Sequence, residues 1–334
     1  MTIAKSIKAR IIGLGAYLPH KVLTNQDFEK MVETSDEWIL SRTGIKERRI
    51  AAEDEFTSTM GTAAAKKALV SAKLVPSDIE LILVATMTPD YISSSTASII
   101  QSQLGAENAA AFDLQAACSG FIYALSVAKA YIESGMYKRL LVVASERMSS
   151  YVDYTDRSTC VLFGDGAAAA VVAADGIGLG IDAVSLGSDG SLVDLIIVPG
   201  GGVRHPPSLE TIAKRMHYFK MEGREVFKHA VRRMSAAAKE CLTKAGLSEH
   251  QVSWLVPHQA NLRIMDAIAK GFNVSPERMY KTVQKYGNTS ASSVAIALEE
   301  LLTQHPVSTG EHLLLVAFGA GLTWGAAVLT KLSK

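Results

Sequence analysis

The chain repeats itself at a fixed spacing, and this repeat constrains the fold more than any other feature of the sequence. Ala63-Ala64-Ala65-Lys66, followed by Leu69, Ala72, Leu74, Ile79, Leu81 and Leu83, matches Ala236-Ala237-Ala238-Lys239, followed by Leu242, Ala245, Leu247, Val252, Trp254 and Val256. The offset is 173 residues throughout (236 − 63; 256 − 83). It also carries Leu141-Val142-Val143-Ala144 onto Leu314-Leu315-Val316-Ala317, far downstream of the first match. Ala-rich helices followed by apolar strands resemble one another by composition, but composition does not hold one register over so long a stretch. A duplicated unit packs as two similar halves about a pseudo-twofold axis, so chemistry is expected where the ends of equivalent elements converge. The division is expected at residues 1–178 and 179–334.

Within each half, short β-branched or Leu-rich runs alternate with Ala-rich amphipathic stretches, the pattern of strands and covering helices in an α/β fold. Strands are predicted at 81–84, 140–143, 168–172, 254–256 and 313–316. No Pro-rich tract or charge run separates the halves, which predicts one body. With 334 residues, 48% of them hydrophobic, the chain can bury a large core. Lys and Arg total 34 against 33 for Asp and Glu, so the net charge of +1 provides no global field to gather nucleic acid or an anionic membrane. Any charged partner must be met by a local patch.

Cys118, Cys160 and Cys241 are 42 and 81 residues apart (160 − 118; 241 − 160), which fits neither a disulfide framework nor a C-x-x-C metal site and predicts a reducing compartment. The opening MTIAKSIKAR lacks an apolar signal region, and the apolar runs fall far short of the roughly 20 residues of a membrane span. A cytoplasmic protein with no membrane or nucleic-acid partner is expected. There is no phosphate loop of the G-x-x-x-x-G-K type and no H-E-x-x-H, and Gly176-x-Gly178-x-Gly180 is followed by no helical pattern. Neither a metal nor a nicotinamide cofactor is expected.

The segment 111–120, AFDLQAACSG, reads as a strand that turns through small residues into a helix over 121–133, stopped by Gly135. Cys118 therefore falls at a helix N-terminus, where unpaired amides and the helix dipole favour an anion and lower a thiol pKa. Cysteine is also a common core residue; the context decides for a nucleophile at Cys118, while Cys160, on a predicted strand, and Cys241, on a helix face, are read as core. Of the 8 histidines, His258 stands apart. It follows the apolar run Trp254-Leu255-Val256 and Pro257, at a strand end facing a cleft; the other seven sit among polar or loop residues. Asn288 opens an Ala-rich helix over 291–302, about 170 residues after Cys118, and reads either as a good N-cap or as an active-site group across the pseudo-axis. The small-residue turn 317–322, AFGAGL, suits backbone amides brought close to a reacting carbonyl.

These residues carry a resemblance. DLQAACSG (113–120), PHQANLRI (257–264), GNTSASS (287–293) and FGAGLTWG (318–325) resemble, in order, the four active-site motifs of the β-ketoacyl-acyl-carrier-protein synthase III family. SDEWI (35–39), RTGI (42–45) and FGDGA (163–167) are similar to it as well. The resemblance implies a thiolase-like α/β fold, with two duplicated βαβαβαββ halves in a five-layered αβαβα core, and a homodimer. It implies a condensing enzyme that joins a short acyl-CoA primer to malonyl-acyl-carrier protein through an acyl-cysteine, initiating fatty acid elongation, with CoA thioester as substrate and no cofactor. Its triad would be Cys118, His258 and Asn288, with the amides of Cys118 and Ala320 as oxyanion hole.

The same resemblance implies a CoA site at Thr34, Trp38, Arg42, Arg157, Gly223, Phe227, Ala260 and Asn261, with the adenine between Trp38 and Arg157. Acyl-carrier protein is acidic, so its dock is expected to be basic: Gln259, Ala260, Asn261, Leu262 and Arg263 after the histidine, and Lys228 on a run with Arg224, Arg232 and Arg233. One departure stands out. Many family members carry a Phe followed by Pro where this chain has Ser93-Ser94. That Phe closes the partner's acyl pocket, so Ser93 predicts a deeper pocket and longer or branched primers. Within the fold, thiolases use a second Cys and elongating synthases two His, and both are disfavoured here. A noncatalytic acyl-thioester carrier would have no need of Cys118.

Overall fold

The computed structural model describes residues 7–272 and 274–333, so the first part of the opening MTIAKSIKAR lies outside it. In the N-terminal half the elements are β1 (Arg10–Tyr17), α1 (Asp36–Thr43), α2 (Thr57–Ala72), β2 (Leu81–Ala85), α3 (Thr96–Leu104), β3 (Ala110–Leu114), α4 (Gly120–Glu133), β4 (Arg139–Glu146) and β5 (Gly166–Ala173). Then follow β6 (Leu179–Ser188), α5 (Gly223–Ala245), β7 (Val252–Pro257), α6 (Leu262–Gly271), α7 (Ser292–Gln304), β8 (His312–Gly319) and β9 (Thr323–Lys331). Leaving out α1 and the smaller insertions (the strand pair Lys21–Thr24 and Glu47–Ile50, the helices Asn25–Glu29 and Arg157–Cys160), the first half reads βαβαβαββ.

The repeat in sequence is a repeat in structure. Helices α2 and α5 end at Ala72 and Ala245 (245 − 72 = 173), and β4 and β8 share both ends at the same offset (312 − 139; 319 − 146). Alternation along the strands assigns their faces. Leu81, Leu83 and Ala85 of β2 pack in a central core with α4 and α7, while Ile82 and Val84 pack outward with α2 and α3. In β8, Leu313, Leu315 and Ala317 face the same central core, and Leu314, Val316 and Phe318 face α5 and α6. Both faces of β2 and β8 are buried, so these two strands are continuous apolar runs, and α4 and α7 become the middle of five layers.

Two separate sheets are what five layers imply; here they join. The order is β7-β8-β9-β6-β1-β5-β4-β2-β3, one sheet of 9 strands. The halves meet through a short β1–β6 ladder, Arg10 against Gly180 and Ile11 against Leu179. Among the described residues the second half has no counterpart of β3 beyond a single bridge between Leu255 and Met279. Gln259 replaces the missing ladder: its Oε1 accepts the amides of Thr282 (2.8 Å) and Val283 (3.0 Å), and its Nε2 donates to the carbonyls of Pro257 (2.7 Å) and Tyr280 (3.2 Å).

Several local expectations change. Cys160 ends a short helix, Arg157–Cys160, rather than lying on a strand, though it is core as expected. The run Gly176-x-Gly178-x-Gly180 turns β5 into β6, with Gly176 at φ +94°. Among the described residues no helix is long and apolar enough to cross a membrane, and no cluster of His, Cys, Asp and Glu is arranged to hold a metal ion.

Candidate active site

The nucleophile candidate sits where β3 gives way to α4. Asp113 accepts the amides of Thr96 and Ala97, both at 2.8 Å, tying β3 to the start of α3. Ala117 then takes the left-handed conformation, φ +45°, and a single 3-10 turn, Ala117–Ser119, places Cys118 one residue short of the first full turn of α4. Close packing explains the small residues around it. A Cβ at Gly319 would stand 2.6 Å from the Cys118 nitrogen, so the end of β8 lies against the backbone of Cys118. A Cβ at Gly120 would stand 3.3 Å from that of Ala291, where the starts of the two central helices touch.

Asn288 is held by its backbone. Its amide donates to the Leu162 carbonyl (2.9 Å) and its carbonyl accepts the Gly164 amide (3.1 Å), linking the second half to the first. It is not the N-cap of α7, which begins at Ser292 after Ala291. Its Oδ1 instead accepts the Ser290 amide at 2.8 Å, which points Nδ2, its donor end, away from that bond. The residue that matches the Cys118 turn is Ser290, in left-handed conformation at φ +52°, as its equivalent Ala117 is (290 − 117 = 173).

His258 follows β7 and donates its amide to the Val316 carbonyl at 2.7 Å. Its Nδ1 lies 2.6 Å from Ser293 Oγ, which also accepts the Gln259 amide at 3.4 Å. A Ser293 hydroxyl that donates to Nδ1 keeps the ring hydrogen on Nε2, the tautomer with a donor at the other ring nitrogen. Burial pushes the His258 pKa down to about 3, so the imidazole is neutral in the working range of an enzyme.

Cys118, His258 and Asn288 are all buried, and all three line one cavity of about 960 Å³. The lowered thiol pKa expected from the helix N-terminus is not found. Burial pushes the Cys118 thiol up to about 12, opposed only in part by a hydrogen bond with Ser290 and by its own amide, and raised further by the charge of Glu146. Glu146, at the end of β4, is itself fully buried. Sequence reasoning missed Glu146, Ser290 and Ser293. The signal for the first was an acid closing an otherwise apolar strand at the position whose 173-residue counterpart is Gly319 (319 − 146).

Cys118, His258 and Glu146 have small counterparts across the repeat, Ala291, Ala85 and Gly319 (291 − 118; 258 − 85; 319 − 146), whereas Asn288 is matched by Gln115 (288 − 115).

Ala320, Ala260, Asn261 and Gly223 also line the cavity, and towards its mouth so do Trp38, Arg42, Phe227, Lys228 and Arg263. The guanidinium groups of Arg42 and Arg157 each stand 4.9 Å from the Trp38 ring centroid. Arg157 also donates to the Glu33 carbonyl at 2.8 Å, beside Thr34, whose buried hydroxyl has no partner. Asn261 caps α6 and donates through Nδ2 to the Arg42 carbonyl at 3.0 Å, joining α1 to α6 at the mouth.

Other assignments need correction. Gln259 is wholly buried and all its polar atoms are engaged within the chain, so it cannot touch a carrier protein. Leu262 is half-buried under Gly44, where an added Cβ would stand 2.7 Å from its own. Arg233 is drawn off the basic run, paired with Asp189 at 2.7 Å and laid over Trp324 at 4.4 Å. Ser93, expected at a partner's pocket rather than its own, lies on an exposed loop.

A duplicated βαβαβαββ sheet with a cysteine at the head of its central helix defines the thiolase-fold condensing enzymes. Family models for 3-oxoacyl-[acyl-carrier-protein] synthase III match residues 112–190 and, for its C-terminal part, 242–331. The chain belongs to the β-ketoacyl-[acyl-carrier-protein] synthase III family. It is 58% identical over 327 residues to the synthase III of Chlamydia muridarum, covering 98% of this chain and 100% of that one. It is 51% identical over 325 residues to that of Caldanaerobacter subterraneus, covering 97% and 98%. The solved synthase III of Aquifex aeolicus superposes with a TM-score of 0.90 at 48% identity, over 96% of this chain and 99% of that chain. The chain is thus a condensing acyltransferase of a family that joins an acyl-CoA primer to malonyl-acyl-carrier protein at the start of fatty acid synthesis.

Proposed function

We propose that this chain carries out that condensation through an acyl-Cys118 intermediate. The observation that carries the reading is the convergence of Cys118, His258 and Asn288 on the floor of one cavity. Residues 1–178 bring the nucleophile and residues 179–334 the two donors. In the first step the Cys118 sulfur attacks the thioester carbonyl, the C–S bond to CoA breaks, and CoA leaves with the thiol proton as CoA–SH. The tetrahedral oxyanion is held by the amides of Cys118 and Ala320; the close approach of Gly319 to the Cys118 nitrogen supports that pairing.

In the second step malonyl-acyl-carrier protein loses carbon dioxide, and the electron pair left behind forms an enolate. Neutral His258, through Nε2–H, and Asn288, through Nδ2, donate to its oxygen. The enolate carbon attacks the acyl-cysteine, the Cys118 thiolate departs, and it takes up a proton from solvent. No base is needed to form the carbanion, and no cofactor enters either step.

The mouth takes CoA: Arg157, whose guanidinium stands 4.9 Å from the Trp38 ring centroid, moves off the ring to admit the adenine between them, and the chain passes Thr34, Arg42, Gly223, Phe227, Ala260 and Asn261. Arg263, with Lys228, receives the acidic carrier protein. The working unit is a homodimer. Two features support it: β3 ends the sheet with Phe112 exposed, and the adjoining loop exposes Tyr91 and 92% of Ile92. That loop carries Ser93 to the partner's acyl pocket, which it leaves deeper than a Phe would. Comparing kcat/KM for acetyl-, butyryl-, isobutyryl- and hexanoyl-CoA in wild type and Ser93→Phe tests this; acetyl-only use, unchanged by the substitution, would refute the deeper pocket.

The test of the central reading is a mass measurement. Incubation with acetyl-CoA and no malonyl donor should add one acetyl group to the peptide carrying Cys118, and Cys118→Ala should accept none while keeping its fold. An acetyl group on the Ala variant overturns the assignment.

A further inference from the structure

Among the described residues the largest wholly buried side chain is a cation, Arg48, on the strand Glu47–Ile50, and its guanidinium hydrogen-bonds neutral oxygens only. Nε donates to the Val161 carbonyl at 3.0 Å, Nη2 donates to the same carbonyl, and Nη1 donates to Asn25 Oδ1 at 2.6 Å. The guanidinium also stands 4.6 Å from the Phe28 ring centroid. Asn25, wholly buried itself, is fixed in turn: its Nδ2 donates to Asp36 Oδ1, at the start of α1, and to the Ile45 carbonyl, both at 2.8 Å. A buried charge with no carboxylate against it costs stability, and an apolar side chain would serve the core as well or better. What a guanidinium adds is a rigid planar fork.

That fork closes on the segment that holds the Asn288 backbone. Val161 leads into Leu162, whose carbonyl accepts the Asn288 amide, and on to Gly164, whose amide donates to the Asn288 carbonyl. The aliphatic stem of Arg48 packs against both sides of this pairing: a Cβ at Gly164 would stand 3.2 Å from Arg48 Cβ, and one at Gly287 would stand 3.1 Å from Arg48 Cγ. Gly287, at φ +62°, immediately precedes Asn288. The main chain on either side of Arg48 makes the same connections, the Asp165 amide donating to the Arg49 carbonyl at 2.8 Å and the Lys46 amide to the Gln284 carbonyl at 3.0 Å. Arg48 does not itself line the cavity.

We propose that Arg48 is a positioning residue for the Asn288 donor. By gripping the Val161 carbonyl and filling the space beside Gly164 and Gly287, it fixes where the Asn288 backbone stands and hence where Nδ2 is delivered. The enolate oxygen then meets a donor already in place, with no reorganisation left for the reacting step. The inference rests on the reading of Asn288 as an enolate donor.

Arg48→Lys keeps a charge but cannot hold Val161 and Asn25 together. Single-turnover release of carbon dioxide from saturating malonyl-acyl-carrier protein by the acetylated full-length enzyme should fall about tenfold, part of the ~100-fold that losing a whole donor costs. Acetyl transfer to Cys118 from saturating acetyl-CoA, a step that does not use Asn288, should stay within about twofold of wild type. The deciding measurement repeats the substitution in an Asn288→Ala background, where no donor remains to be positioned: carbon dioxide release should then change by less than about twofold. An equal fold-loss in both backgrounds, or a parallel loss of acetyl transfer, overturns the proposal and leaves Arg48 a residue of the fold alone. Should Arg48→Lys yield no folded protein, Asn25→Ala, which removes only the Nη1 acceptor, takes its place in the same comparisons, with a smaller loss of about threefold that again vanishes beside Asn288→Ala. An unchanged rate in the variant with Asn288 present overturns the proposal as well. Failure of the Asn288 reading shows separately, as a wild-type rate of carbon dioxide release in Asn288→Ala alone.

Discussion

Ser293 Oγ lies 2.6 Å from His258 Nδ1, and as donor in this bond its hydroxyl holds the ring hydrogen on Nε2. Without it the neutral ring has no reason to keep its hydrogen on Nε2. Ser293→Ala should therefore slow decarboxylation of the malonyl thioester about tenfold, the worth of roughly one net hydrogen bond, with KM for acyl-CoA unchanged. Single-turnover release of carbon dioxide measures it. An unchanged rate would mean that the tautomer is set elsewhere.

Trp38 carries two guanidinium groups near its ring, each 4.9 Å from the centroid, and this face is where an adenine would be held. Trp38→Ala should raise KM for acetyl-CoA about fivefold, about 1 kcal/mol of stacking and cation–π interaction, and leave kcat alone. A short acyl thioester lacking the nucleotide should be used equally well by both proteins. Equal losses with both donors would place Trp38 in the framework.

Arg263 is exposed at the cavity mouth, on the first turn of α6. Arg263→Glu should raise KM for malonyl-acyl-carrier protein, most at low ionic strength, because an exposed charge acts through a screened field. Turnover of a small malonyl thioester should not change, and a loss independent of salt would contradict a docking role.

Gln259 makes four hydrogen bonds in place of a strand, so its loss should be structural. Gln259→Leu strips partners from buried backbone groups of Thr282, Val283, Pro257 and Tyr280 and should cost about 2–4 kcal/mol of stability. Urea unfolding reads this directly. A normal unfolding midpoint with a raised KM for the carrier protein alone would restore Gln259 to the docking surface.

His258 and Glu146 pull the pH dependence of stability in opposite directions. The folded pKa of His258, about 3, lies below its ordinary 6.5, so between these values the unfolded chain binds more protons and stability falls on acidification. Glu146 is raised from 4.5 to about 7, so the folded chain holds the extra proton and stability falls as pH rises through that range. From pH 4.5 to 6.5 the two slopes offset. Glu146→Gln removes one of them, and its stability should then fall on acidification across this window by up to about 1.4 kcal/mol per pH unit more than wild type. Parallel curves for the two proteins would show that Glu146 does not hold a proton in the native state.

By itself the sequence determined the repeat, the layered α/β class and the three side chains that floor the cavity. These are legible because they are local or periodic: a constant offset, apolar runs buried on both faces, and reactive residues set among small ones at the ends of strands. Strand ends were found because Cys118 and His258 each interrupt an apolar pattern that otherwise predicts core. What the tertiary structure decided depends on contacts between residues distant in the chain. The Cys118 thiol was expected to be acidic from its helix N-terminus, but burial and the charge of Glu146, 28 residues further along (146 − 118), act the other way. Gln259 stood within a docking motif, yet the absence of a third strand in the second half turned its side chain inward to satisfy backbone groups near Leu255 and Met279. Asn288 read either as a helix cap or as an active-site group, and its place is set by the backbone of Leu162 and Gly164 of the other half. Local patterns record which residues can form an element, but desolvation and hydrogen-bond partners are properties of whatever else arrives at the same point in space.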